Sequence, residues 1–171
     1  MNAGKGSIAA AVMLVALVVG LDQFFKWLVE RQMDYHQMVG VVPFVSPFRT
    51  HNTGMAFSMF DDSGPGLLIL LALCVAALVL YLWYRTPADD VLARTGFALI
   101  MGGAIGDLID RVSLGYVIDY ILFHTSVWSF AIFNFADAAI STGAGLVILQ
   151  EIVRSWRTRH AGKPAEPGND D

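Results

Sequence analysis

Charge is scarce in this chain. Only 15% of its 171 residues are Asp, Glu, Lys or Arg, against roughly 25% in a soluble domain, so a water-soluble globule is excluded. Cysteine is almost absent as well. The single Cys74 stands inside an apolar run and cannot close an intramolecular disulfide. The four histidines, His36, His51, His124 and His160, are scattered without ligand spacing, so neither a metal nor another cofactor is expected. A net charge of −4 leaves no basic stripe for nucleic acid. There is no internal repeat.

What the chain has is hydrocarbon-like sequence: 56% of it is hydrophobic. Four stretches, residues 8–28, 66–84, 91–109 and 132–152, approach the ~20 residues that a helix needs to cross a bilayer. The expected fold is therefore a mainly α membrane protein, one domain over residues 1–171. Lys5 before the first run resembles the start of a secretory signal. However, no small-x-small cleavage site follows, and the run leads into Asp22-Gln23-Phe24-Phe25-Lys26, so a retained span is expected. Asp22 and Lys26 are four apart on one helix face, either as a pair marking the membrane edge or as a functional one.

With four spans both termini share a side. That side collects Lys5, Arg85, Arg94, Arg154, Arg157, Arg159 and Lys163, and the other holds Arg31, Arg49 and Arg111. The positive-inside rule puts both termini in the cytoplasm. Residues 157–171 read as a polar, disordered tail. The outer side owns residues 30–65 and 111–131. In the first of these, Val39-Gly40-Val41-Val42-Pro43-Phe44-Val45 and Phe48-Arg49-Thr50-His51-Asn52 read as short strands of a small β-sheet at the membrane surface. Met55 to Phe60 reads as a short interfacial helix, with Phe57, Met59 and Phe60 as a candidate lid against lipid.

Two aspartates fall where hydrocarbon tolerates them least: Asp119 within Val117-Ile118-Asp119-Tyr120-Ile121, and Asp137 within Phe133-Asn134-Phe135-Ala136-Asp137. A carboxylate in such a setting costs several kcal/mol and usually lines a functional cavity. The topology brings both to the outer face. Two carboxyls sharing one site cannot both ionise easily, which yields an acid and a base from one residue type, the chemistry of an aspartyl hydrolase. Asn134, three residues before Asp137, is placed to hold its carboxylate.

These segments together resemble the lipoprotein signal peptidases, or type II signal peptidases, over nearly the whole chain. The resemblance rests on Asp22-Gln23-x-x-Lys26, on Asn52-Thr53-Gly54-Met55-Ala56-Phe57, on the run from Gly102 to Arg111, and on the motifs around Asp119 and Asp137. It implies an aspartic endopeptidase of the bacterial cytoplasmic membrane. Such an enzyme cuts prolipoproteins just before a cysteine that already carries diacylglycerol. It implies Asp119 and Asp137 as the catalytic dyad, Asn52, Gly54, Arg111 and Asn134 on the substrate side, and Asp22, Lys26 and Asp107 in support. The implied partners are the lipidated substrate and membrane lipid, with the enzyme a monomer.

The chain departs from that family at Phe25, where a small hydroxyl residue is usual, and at Asp107, where asparagine is usual. Asp107 lies four before Arg111 and is expected to pair with it; otherwise it would add negative charge beside the dyad and raise a carboxylate pKa further. With the pairing, Asp107→Asn is expected to keep most activity. Two other readings of intramembrane acids fit less well. A proton-coupled transporter predicts midplane acids and matching broken helices in two halves, whereas these acids gather at one face. An assembly factor packed through Gly102, Gly103 and Gly106 gives no reason for the acids.

Overall fold

The computed structural model describes residues 3–39, 44–54, 65–125 and 129–161. Four long helices carry the chain: α1 (Ala3–Gln32), α2 (Pro65–Arg85), α3 (Val91–Ser113) and α4 (Phe135–Ala161). Three strands join them: β1 (Val45–Asn52), β2 (Val117–His124) and β3 (Ser129–Phe133). All four helices contain a stretch long and apolar enough to span a membrane. Their outward faces carry large apolar side chains that water would not favour. Leu70 of α2, Val12 and Leu17 of α1 and Ile148 of α4 are each more than half exposed, as expected where lipid is the solvent.

α3 is the central helix, packed against α1, α2 and α4. Its crossing with α4 is close enough to need glycine. A Cβ on Gly96 would stand 2.5 Å from the Gly143 carbonyl oxygen, and a Cβ on Gly143 would strike the backbone of α3. Without a hydrophobic drive between helices in lipid, such small-residue contacts let backbones pack directly. At the end opposite the sheet, Phe97, Ala93 and Val79 form an apolar core with Trp83 and Val147. There Arg94 stacks 3.9 Å over Trp83 and donates to the Thr86 carbonyl at the end of α2.

The sheet is antiparallel in the order β1-β2-β3, so β2 is its middle strand. Only β1 comes from the segment in which strands were expected. β2 comes from residues 111–131, and β3 begins there and takes in Ile132 and Phe133, the first two residues of the expected fourth span. The reason is burial on both faces. Val117 to Tyr120 are all buried, so the first half of β2 lacks the period of two that betrays a half-exposed strand. β1 carries a register shift between Pro47 and Thr50. Proline supplies no N–H to a ladder, and such an irregularity accommodates it. Beyond it, Thr50 pairs with Asp119 and Asn52 with Val117.

The helices outrun the expected spans. α1 continues to Gln32 and α3 to Ser113, and Gly115 then turns the chain at φ +84° into β2. α4 runs to Ala161, so residues 157–161 are helix rather than tail. The expected interfacial helix at Met55 to Phe60, with its lid residues, lies outside the described residues, as does the rest of the tail.

Candidate active site

α4 begins immediately after β3, and its first N–H groups would be unsatisfied at membrane depth. Each of the first three finds an acceptor from a different part of the chain. Phe135 N donates to the Tyr120 hydroxyl at 3.2 Å, Ala136 N to Asp22 Oδ1 at 3.1 Å, and Asp137 N to Asn134 Oδ1 at 3.0 Å. In return, Asn134 N donates to Asp137 Oδ2 at 3.1 Å. That reciprocal pair is a capping box with asparagine at the cap and aspartate in the third position. It fixes Asp137 at the mouth of the helix, where the dipole favours a negative charge.

Asp119 is brought there by β2. Its two oxygens accept from two amides: Asn134 Nδ2 at 2.8 Å on Oδ1 and Asn52 Nδ2 at 3.0 Å on Oδ2. Asn134 thus touches both aspartates, Asp119 with its side chain and Asp137 with its backbone and its amide oxygen. Asp119 is 3% exposed. Burial above all, and then the charge of Asp137, push its carboxyl up to about 7. The two amides oppose the rise, and Asp107 adds to it. Next to it in the strand, burial raises the Tyr120 phenol to about 12, so it stays a neutral hydroxyl that can accept from α4.

On the outer edge, Asn52 Oδ1 accepts from Gly54 N at 3.0 Å, and the Gly54 carbonyl accepts from Arg111 Nη2 at 2.7 Å. Arg111 therefore turns inward onto backbone rather than snorkelling to the membrane surface. Its Nη1 is buried and has no hydrogen-bond partner among the described residues.

Behind Asp119 and Asp137 lies a second group of charges. Lys26 Nζ sits 2.8 Å from Asp22 Oδ2, 2.8 Å from Asp110 Oδ2 and 3.0 Å from Asp107 Oδ1. Asp22, Lys26 and Asp110 are essentially without exposure, so the pair Asp22 and Lys26 does not mark a membrane edge. Gly106 makes the room: a Cβ there would come within 2.5 Å of Asp22 Oδ2. The expected pairing of Asp107 with Arg111 is not what forms. Asp107 faces α1 and α4, taking Lys26 on one side and Asn134 Nδ2 at 3.3 Å on the other. Lysine reaches it from a neighbouring helix, and the Arg111 guanidinium is drawn off by the Gly54 carbonyl.

Every residue expected in the site is therefore in one connected assembly at one end of the bundle. Asp110, Gln23 and Tyr120 belong to it too and were missed. Asp110 accepts from Gln23 Nε2 at 2.9 Å and from Ile118 N at 3.2 Å, tying α1 and the start of β2 to α3. The available signal was a second carboxylate three residues after Asp107 in an otherwise apolar helix.

A family model described as signal peptidase (SPase) II matches residues 14–153. The lipoprotein signal peptidase of Mesorhizobium japonicum is 57% identical over 145 residues, 85% of this chain and 86% of that protein. This chain belongs to the signal peptidase II family. The lipoprotein signal peptidase of Brucella ovis is 52% identical over 153 residues, covering 90% and 95% of the two chains. Two solved bacterial membrane enzymes share the fold. One aligns at a TM-score of 0.77 and 22% identity, over 94% of this chain and 96% of its own; the other aligns at 0.72 and 25%, over 83% and 92%. As a signal peptidase II, the protein is an aspartic protease that removes signal peptides from prolipoproteins. It is a multi-pass bacterial membrane protein.

Proposed function

We propose that Asp119 and Asp137 are the catalytic dyad of this peptidase and share one proton. What supports this is the Asn134 bridge, which joins the buried carboxyl of Asp119 to the half-buried carboxyl of Asp137 at the mouth of α4. A water between the carboxyls gives a proton to the ionised one as its oxygen adds to the scissile carbonyl. The other carboxyl donates its proton to the resulting oxyanion. When the tetrahedral species collapses, the C–N bond breaks and the leaving amine takes up a proton from the dyad. The roles belong to the pair, whose members titrate together.

Asn52, Gly54 and Arg111 form the substrate side. The Nη1 of Arg111, which has no hydrogen-bond partner among the described residues, is a charged donor suited to a peptide carbonyl, and Gly54 lets an extended backbone come close. The substrate class is a prolipoprotein with a diacylglyceryl-modified cysteine, cut just before that cysteine. A site at the bilayer edge receives the lipid and the helical signal peptide without removing either from its medium. The excess of Arg and Lys near the far helix ends favours cytoplasmic termini and an outward-facing site. The enzyme works as a monomer.

The test is cleavage in liposomes of a lipidated prolipoprotein and its unlipidated form, by the wild type and by Asp119→Asn and Asp137→Asn. Cutting of the lipidated form alone, abolished in both variants, is the expected result. Activity surviving in either variant removes that residue from the dyad, and equal cutting of both substrates removes the lipid from recognition.

A further inference from the structure

Asp107 stands between the Lys26 cluster and the dyad. From α3, its Oδ1 accepts from Lys26 Nζ at 3.0 Å and from Asn134 Nδ2 at 3.3 Å. The same Nδ2 donates to Asp119 Oδ1 at 2.8 Å. The contacts run from Lys26 through Asp107 and Asn134 to Asp119, linking three helices and a strand. A carboxylate offers acceptors only. Flanked by Asp107 and Asp119, the Asn134 amide can satisfy both only by turning its NH2 toward them. Its Oδ1 is then left for the N–H of Asp137, the bond that is present at 3.0 Å. A neutral amide at position 107 could face Asn134 with either its oxygen or its NH2, and would not impose that orientation.

We propose that Asp107 is a positioning residue for the peptidase reaction, which locks the Asn134 amide into donating to Asp119 and holds a negative charge beside the dyad. The inference rests on reading Asp119 and Asp137 as that dyad. Of the charged and titratable groups on the elements packed about it, Asp137 of α4 acts on Asp119 directly, as Asp107 does. Asp22 and Lys26 of α1 and Asp110 of α3 cluster behind Asp107, Tyr120 is the next residue of β2, and Arg111 of α3 and His51 of β1 are engaged with Gly54 and Tyr116. Lys26 already serves Asp22 and Asp110 at 2.8 Å, so it does not cancel Asp107 alone. Asp107 contributes to holding the Asp119 carboxyl near 7, after burial and Asp137.

The test is the pH dependence of kcat/KM for Asp107→Asn in liposomes. With the charge gone, Asp119 ionises more easily. The alkaline limb, where the dyad loses its last proton, is expected to move to lower pH by about one unit. KM should hold, because Asp107 touches no substrate, while kcat falls about threefold as Asn134 loses its fixed orientation. Asp107→Glu, which restores the charge, is expected to return the limb toward the wild-type position. An unmoved limb in an active Asp107→Asn enzyme overturns the proposal. Should that variant not fold, Asp107→Ser makes the same comparison. Failure of both to fold would overturn it too, in favour of a purely stabilising role in the Lys26 cluster. If the wild type is inactive or Asp119→Asn is active, the dyad itself is wrong. A limb that stays put while Asp119→Asn is dead sinks only the role given to Asp107.

Discussion

Around Lys26, three carboxylates share one ammonium at 2.8 to 3.0 Å, and the fold closes over them. Around Asn134, two carboxyls are held by amides and backbone N–H groups. None of the ion pairs among the described residues involves Asp119 or Asp137. The two regions contain the same residue type at the same end of the bundle, yet their chemistry differs. A cation at contact distance anchors a carboxylate in place, although the single charge of Lys26 cannot neutralise all three. Hydrogen bonds from neutral amides orient a carboxylate without cancelling its charge, so it remains free to exchange a proton. The first arrangement stabilises, and the second leaves the group reactive.

The sharpest way to break that comparison is to substitute one residue in each region. Asp119→Asn and Asp137→Asn should each lower kcat/KM by at least about a thousandfold, since acid–base roles alone are worth 10²–10⁴. The melting temperature should hardly fall. Lys26→Met should do the reverse, leaving the buried Asp22 and Asp110 and the partly exposed Asp107 without their cation at a cost of about 3–5 kcal/mol in stability. Thermal unfolding in detergent beside the cleavage assay reads both. If Lys26→Met melts normally and loses only activity, the division between the two regions is false.

A smaller effect separates capping from catalysis at Asn134. Asn134→Ser keeps a neutral capping acceptor for the Asp137 N–H but removes the amide donor to Asp119, whereas Asn134→Ala removes both. The alanine should lose about 1 kcal/mol as a missing cap, on top of the activity loss the two variants share. Equal stability of the pair would mean that the capping box contributes nothing.

The Asp119 carboxyl also sharpens the contrast through pH. Its ordinary value of 3.8 rises to about 7 in the fold, so the folded state favours the protonated form. That contribution is fully present below about pH 4 and is lost as pH rises through about 7. Wild-type melting temperature should therefore drop between about pH 4 and pH 7, and Asp119→Asn, which has no such proton to lose, should drop less. Parallel curves would place the cause elsewhere.

Much of this architecture was legible because membrane physics writes in long, simple signals. Four apolar runs give the bundle, and two acids in apolar settings, one within the fourth run and one before it, mark the proposed dyad. The Asp22 and Lys26 spacing gives their shared face. Pairings between helices were harder. The preference of Asp107 for Lys26 over Arg111, four residues away, depends on where α1 lies against α3, and local spacing carries no such information. β2 hid because both its faces are buried. The start of α4 was misplaced although Asn134 and Asp137 spell a capping box, because the apolar pattern of Ala131 to Phe133 runs straight into the helix. Asn52 was read as a contact for substrate. Its bond to Asp119 follows from strand register, Thr50 opposite Asp119, which only the folded sheet supplies.

The smallest effect expected is at Arg154, and it limits how far the lesson of Lys26 extends. Arg154 is 60% exposed and reaches Asp90 Oδ2 only at 3.9 Å, on the helix ends opposite the sheet. There the pair competes with water, and Asp90 keeps a bond from Gln150 Nε2 at 2.9 Å. Exposed pairs are worth about 0–1 kcal/mol, so Arg154→Ala should leave both melting and cleavage within error. A measurable loss of stability would mean that this end of the bundle is drier than its exposure indicates. Ion pairs there would then have to be counted with those around Lys26.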